Sequence, residues 1–189
     1  MIKSGRWIAV TALVATSVVR AEIARAGDWT RLVEVSHNQK RCLSYRARLS
    51  GPFLVVEATP DPGWHTFAMD NRQRAAEKLQ GRKPLSQDMP TEITLTRGLA
   101  VDGPWFQSPP KDFSRPELRW YSWGFEDRAL FVTKVRRSGP GPALITVRGQ
   151  VCTETICRRV DIAISLPLPG ASPKPEATDI DWNVLVQVR

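Results

Sequence analysis

The chain has 189 residues, enough for one domain with a proper core and short appendages. Its formal charge is +8, but Lys3, Arg6, Arg20 and Arg25 against Glu22 supply +3 of that, leaving +5 for residues 27–189. The remaining basic residues are scattered and share no periodic face, which argues against a nucleic-acid surface and for simple solubility or attraction to acidic partners.

The N-terminus carries Lys3 and Arg6, then an apolar run over residues 7–19, then small residues. That order describes a secretory signal peptide, residues 1–26, with Ala24-Arg25-Ala26 placing cleavage before Gly27 and Val19-Arg20-Ala21 as a second site. The apolar run is short for a membrane span, and nothing later approaches one, so no span is expected in the mature chain. A retained N-terminal anchor is the alternative. The expected location is periplasmic or otherwise exported, where disulfides persist.

From residue 29 onward the signals are mostly β. Residues 30–36 and 43–49 alternate apolar and polar side chains, and 53–58 is a more continuous apolar strand ending in the turn cluster Thr59-Pro60-Asp61-Pro62-Gly63. Residues 64–71 read as a strand leading into a loop. Good helix formers over 72–80 stop at Gly81, which predicts one short helix. Residues 91–96 alternate again. The stretch 103–117 is irregular, its prolines excluding a central strand. Strands are expected at 118–123 and 129–135 with a turn over 124–128, and Ser138-Gly139-Pro140-Gly141-Pro142 then turns the chain. Short strands punctuated by Gly and Pro predict an all-β, antiparallel β-sandwich over residues 27–170. Residues 171–189 are a linker and tail, whose last run could add an edge strand. No internal repeat is evident.

The most informative stretch is Val147-Arg148-Gly149-Gln150-Val151-Cys152-Thr153-Glu154-Thr155-Ile156-Cys157-Arg158-Arg159. Alternating, β-branched flanks on both sides read as an antiparallel hairpin that would bring Cys152 and Cys157 together across the strand ends. A bond there closes a loop of only about six residues, worth about 2 kcal/mol in the chain-entropy model. Joining Cys42 to either would close about 111 residues and be worth roughly 5 kcal/mol. A local pair is therefore a poor staple, which favours redox use, while a purely structural hairpin disulfide in a binding module remains the alternative. Cys42 itself lies in a strand-like stretch and is expected to face the core, with a third-thiol role as the other possibility.

Arg158 and Arg159 beside Cys157 are candidates to stabilise a thiolate, with Glu154 opposing them. Alternation sends one of the two arginines to the opposite face. His37 and His65 lack metal-ligand spacing and are read as structural, so neither metal nor cofactor is expected. Trp105, Trp120 and Trp123 are read as core more than as a ligand groove. No nucleophile–base pair supports a hydrolase.

Gly63-Trp64-His65 after a Pro-rich turn, Lys111-Asp112-Phe113-Ser114-Arg115-Pro116-Glu117, and Val147 to Cys152 resemble the N-terminal (α) domain of the thiol:disulfide interchange protein DsbD family, over about residues 28–168. The resemblance implies an immunoglobulin-like sandwich and a redox pair at Cys152 and Cys157, with Cys157 bonding the partner. It also implies a cap that shields the pair, formed by Phe113 with Asp112. Expected partners are thioredoxin-like periplasmic proteins and a separate membrane electron donor. The chain departs from the family pattern in its shorter, Gly-free loop between the cysteines and in Arg158-Arg159, where Tyr-Pro-Pro is usual.

Overall fold

The computed structural model describes residues 27–85, 88–168 and 178–189. The expected signal peptide, residues 1–26, and most of the linker, 169–177, lie outside the described residues. The expectation of an antiparallel β-sandwich holds. One sheet runs in the order β1 (Val33–His37), β2 (Lys40–Ser50), β3 (Phe53–Pro60), β9 (Ala129–Arg137), β6 (Leu99–Gln107) and β12 (Val186–Gln187). The other runs β11 (Cys157–Leu166), β10 (Ala143–Cys152), β4 (His65–Phe67), β8 (Trp123–Phe125) and β7 (Lys111–Asp112). Strand β5 (Glu92–Arg97) also joins β10, along Leu144 to Arg148, while β4 takes the next stretch at Val151 and Cys152.

Period-two alternation builds the core between the sheets. Leu43, Tyr45, Ala47, Leu54, Val56, Phe131 and Val135 from the first sheet meet Ile93, Ile145, Val147, Val151, Val160 and Ile164 from the second. Tyr45 is 1% exposed, and burial pushes its phenol well above the usual range. Cys42, at 0% exposure, belongs to this core, as its strand-like setting suggested.

Three local features decide where the site ends up. Helix α1 (Asn71–Leu79) follows β4, close to the expected 72–80, and stops at Gln80 and Gly81, both at positive φ. Residues 118–123 do not form the expected strand. Arg119 sits at φ 52° and donates its amide to the Pro116 carbonyl, closing a 3-10 turn over Pro116–Leu118. The strand therefore starts only at Trp123, the last residue of the expected one, and runs through Phe125 into the expected turn. Conversely, β6 runs through Pro104, because a bulge between Val101 and Trp105 lifts Pro104 out of the ladder. The buried Thr133 hydroxyl donates into this bulge, with the Gly103 and Pro104 carbonyls at 3.3 and 3.0 Å.

The tail adds an edge strand: β12 pairs with β6, and Trp182 packs edge-on against Phe53 and Phe106 at 4.9 and 5.2 Å. Among the described residues no helix is long and apolar enough to cross a membrane.

Gly124 shows how tightly β8 meets β4. A Cβ there would lie 2.1 Å from the Thr66 carbonyl oxygen, so only glycine permits the approach.

Candidate functional site

The cysteine hairpin is regular to its last residue pair. β10 and β11 pair from Ala143↔Leu166 through to Cys152↔Cys157. Ala143, Ile145, Val147 and Val151 lie in the core, so Cys152, one residue on, falls on the outer face of the second sheet. Thr153 ties the connecting loop. Its amide donates to the Ile156 carbonyl at 2.8 Å, and its hydroxyl accepts the amides of Thr155 and Ile156 at 3.2 and 3.1 Å. This fixed register brings the two cysteine Cα atoms to 4.0 Å, and the sulfurs are joined as a disulfide.

The two sulfurs have different surroundings. Cys157 is exposed, whereas Cys152 is only 2% exposed although it lies outside the core. What covers Cys152 comes from three directions. On β10 itself, Gln150 Nε2 donates to Cys152 Sγ at 3.1 Å, while Gln150 Oε1 accepts the Met89 amide at 3.2 Å. From β4, His65 is paired with Cys152 in register. From the segment between α1 and β5 comes Asp88, 4% exposed, with a carboxylate oxygen within 4.8 Å of both sulfurs.

Asp88 is firmly held. Its Oδ2 accepts the Trp120 indole N–H at 2.7 Å, and its carbonyl accepts Asn71 Nδ2 at 3.2 Å. Asn71, 0% exposed at the start of α1, also accepts the Trp123 amide at 2.7 Å. Helix α1, the Asp88 segment and β8 are thereby pinned together behind the disulfide.

Phe113 stands over the same place. It follows β7, and its amide donates to the Ser122 carbonyl at 2.9 Å. Its ring stacks on His65 with centroids 4.9 Å apart and planes at 26°. Burial lowers the His65 pKa, against an upward pull from Asp88 and Glu126, so the stacked ring is neutral near pH 7. Phe113, His65, Trp120 and the two cysteines line one groove of about 780 Å³. Its open side carries Glu126, Asp127 and Arg128; Lys111 pairs with Glu126 and, at 3.0 Å, with Asp127.

Of the residues singled out from sequence, the structure brings Cys152, Cys157 and Phe113 to one groove. Asp112 is not in its lining; its Oδ1 accepts the Ser114 amide at 2.8 Å and so shapes the turn that carries Phe113. Neither arginine lines the groove. Arg158 donates to His37 Nδ1 at 2.6 Å, and His37 in turn packs edge-on against Trp64 at 5.9 Å. Arg159 lies 4.0 Å from Asp161. Of the tryptophans, Trp123 is buried in the core and Trp105 packs against it, while Trp120 lines the groove, contrary to the core reading.

Asp88, His65 and Gln150 are members that sequence reasoning missed or read as structural. Asp88 lies in a polar, Pro-containing segment with no motif, and only tertiary packing carries it to the cysteines. A metal ion could use Asp88 and both sulfurs only after the disulfide is reduced, since a bonded pair offers no thiolates.

No family model and no curated protein matches the chain. Among solved structures, the N-terminal domain of DsbD from Neisseria meningitidis in the reduced form is similar, with a TM-score of 0.40 and 10% identity. The match covers 70% of this chain and 91% of that one, and the likeness is one of fold.

Proposed function

We propose that this chain is a thiol–disulfide exchange domain that relays electrons between protein partners through Cys152 and Cys157. The observation that carries the proposal is the asymmetry of the pair. Cys157, an exposed residue, is the member open to a partner thiolate, and Cys152, a buried one, can act as the internal leaving group and later resolve the mixed disulfide. The position of the bond supports the same reading. It closes a short loop already fixed by a ten-pair ladder, so as a staple it would add little.

Phe113, stacked on His65 at the groove, serves as the shield that moves aside for a cognate partner, and Asp112 shapes its turn. Arg158 and Arg159 act on a Cys157 thiolate through their positive field rather than by contact. Thioredoxin-like proteins and a separate membrane electron donor, in the periplasm, are the partners suggested by the sequence resemblance.

The test is the reduction potential of the pair in the full chain, by equilibration with glutathione and dithiothreitol buffers and mass spectrometry. A value of roughly −270 to −180 mV is expected for a relay. A value well below about −300 mV, with the fold lost on reduction, would make the disulfide structural and the proposal wrong.

A further inference from the structure

We propose that the reduced form of this chain binds a zinc ion through Cys152, Cys157 and Asp88, so that the redox state of the pair opens and closes a metal site. The inference goes beyond the relay reading and needs only that the disulfide can be opened. Three donors converge from separate segments: Cys152 ends β10, Cys157 begins β11, and Asp88 comes from the stretch between α1 and β5. A carboxylate oxygen of Asp88 and the two sulfurs all lie within 4.8 Å of one another. Around tetrahedral zinc, with Zn–S near 2.3 Å and Zn–O near 2.1 Å, neighbouring donors stand about 3.6–3.8 Å apart. The carboxylate is thus within about 1 Å of that shell. Once the bond is opened, the sulfurs reach it by side-chain rotation from Cα atoms 4.0 Å apart.

The groups around the donors are those a metal site needs. The Trp120 indole N–H fixes Asp88 Oδ2 at 2.7 Å, and Asn71 Nδ2 holds the Asp88 carbonyl at 3.2 Å. Gln150 Nε2 donates to Cys152 Sγ at 3.1 Å. Partners of this kind orient ligands and tune their basicity. The groove in front of the pair gives the ion a way in and leaves its fourth position to water. Charge favours occupation as well. A Cys152 thiolate beside the Asp88 carboxylate sets two like charges where exposure is only 2% and 4%. A divalent cation between them offsets both, whereas Gln150 supplies one hydrogen bond.

The donor set selects the ion. Two thiolates with one carboxylate suit zinc; calcium and magnesium take oxygen ligands, and monovalent copper has no need of the carboxylate. The steps balance simply. A dithiol or a phosphine gives two electrons to the Cys152–Cys157 bond and is itself oxidised, leaving two thiols. Zinc then displaces both thiol protons into solvent and takes the thiolates. The bound ion occupies the Cys157 sulfur, so it blocks exchange there. Oxidation of the pair to the disulfide removes both thiolates and releases the ion.

The experiment titrates the full chain with zinc chloride under anaerobic conditions, against a chromogenic chelator, after phosphine reduction and removal of the phosphine. The reduced chain is expected to bind one zinc ion, and the oxidised chain none. Cys152→Ser, which keeps Cys157 and Asp88, is expected to lose the site. Asp88→Asn is expected to weaken binding at least about tenfold, since loss even of an outer partner costs that much. Asn retains an oxygen for the Trp120 indole, so the fold is kept. Glu154→Gln, an exposed carboxylate on the hairpin loop in the same groove, is expected to leave the affinity within about twofold, because solvent and salt screen it. One equivalent of zinc is also expected to slow reaction of the reduced chain with oxidised glutathione at least about tenfold, and much less in Asp88→Asn. No binding by the reduced chain, or equal affinity in wild type and Asp88→Asn, would overturn the assignment, as would equal weakening by Glu154→Gln. The relay reading fails separately, on the reduction potential: a pair below about −300 mV can still bind zinc after phosphine reduction, and a relay pair can fail to bind it.

Discussion

Cys42 and the Cys152–Cys157 pair show what decides the fate of a sulfur in this fold. Cys42 sits on β2 at 0% exposure, and its thiol donates to the Val35 carbonyl at 3.1 Å. Burial pushes its pKa up, and Asp61 adds to the rise, so the reactive thiolate is disfavoured twice. The pair stands instead at the end of a hairpin on the outer face of the second sheet, with Cys157 exposed and Cys152 under polar cover. Cys42 lies at the break in the β1–β2 register, between Leu43 and Arg41, and packs into the core, whereas the pair ends a regular hairpin with polar groups over Cys152. Core packing disfavours a reactive thiolate, whereas the polar pocket outside the core suits the exchange proposed for the pair.

That contrast is sharpened most by labelling. In the reduced native chain, iodoacetamide is expected to alkylate Cys157 roughly a hundredfold or more faster than Cys42, because Cys42 reacts only when its sheet opens. Peptide mapping over a time course measures the ratio, and comparable rates would erase the distinction. The scaffold beneath the pair is the next target. Gly124→Ala would drive a methyl group against the Thr66 carbonyl and force β8 from β4, costing about 2–3 kcal/mol in urea unfolding. Its cost should fall on the Phe113 cap and leave the Cys42 environment intact, as amide exchange would show.

A smaller effect is expected at the cap itself. Phe113→Ala should speed dithiothreitol reduction several-fold while leaving the alkylation of Cys42 unchanged. The cap also carries a pH signature. Because the folded pKa of His65 is depressed, its contribution is complete above the ordinary imidazole value near 6.5 and is lost as pH falls through the folded value. Fluorescence quenching near Trp120 should therefore report a looser cap at mildly acidic pH in the wild type but not in His65→Gln.

Much of this arrangement is legible from the chain. The hairpin follows from C-x4-C between alternating, β-branched flanks, and the same alternation foretells that Arg158 and Arg159 diverge. The Gly63 turn, the short helix before Gly81 and the paired strands 43–49 and 53–58 are equally local signals. The failures have physical reasons. Residues 118–123 read as a strand, but the left-handed Arg119 closes a turn that propensity does not reveal. The prolines near 104 argued against a strand, yet a bulge satisfied by Thr133 carries β6 through. Asp88 is the clearest case, since its partners Asn71 and Trp120 lie 17 and 32 residues away in the chain. Contacts of that range leave no periodicity to read.

The central claim is that exchange begins at Cys157, the exposed member of an asymmetric pair. The most direct measurement compares Cys152→Ser and Cys157→Ser in their rates of mixed-disulfide formation with oxidised glutathione, read by mass spectrometry. Cys152→Ser, which retains the exposed Cys157, is expected to react at least about tenfold faster, since access and thiolate character govern exchange. Equal rates, or faster reaction by the chain that retains Cys152, would contradict it.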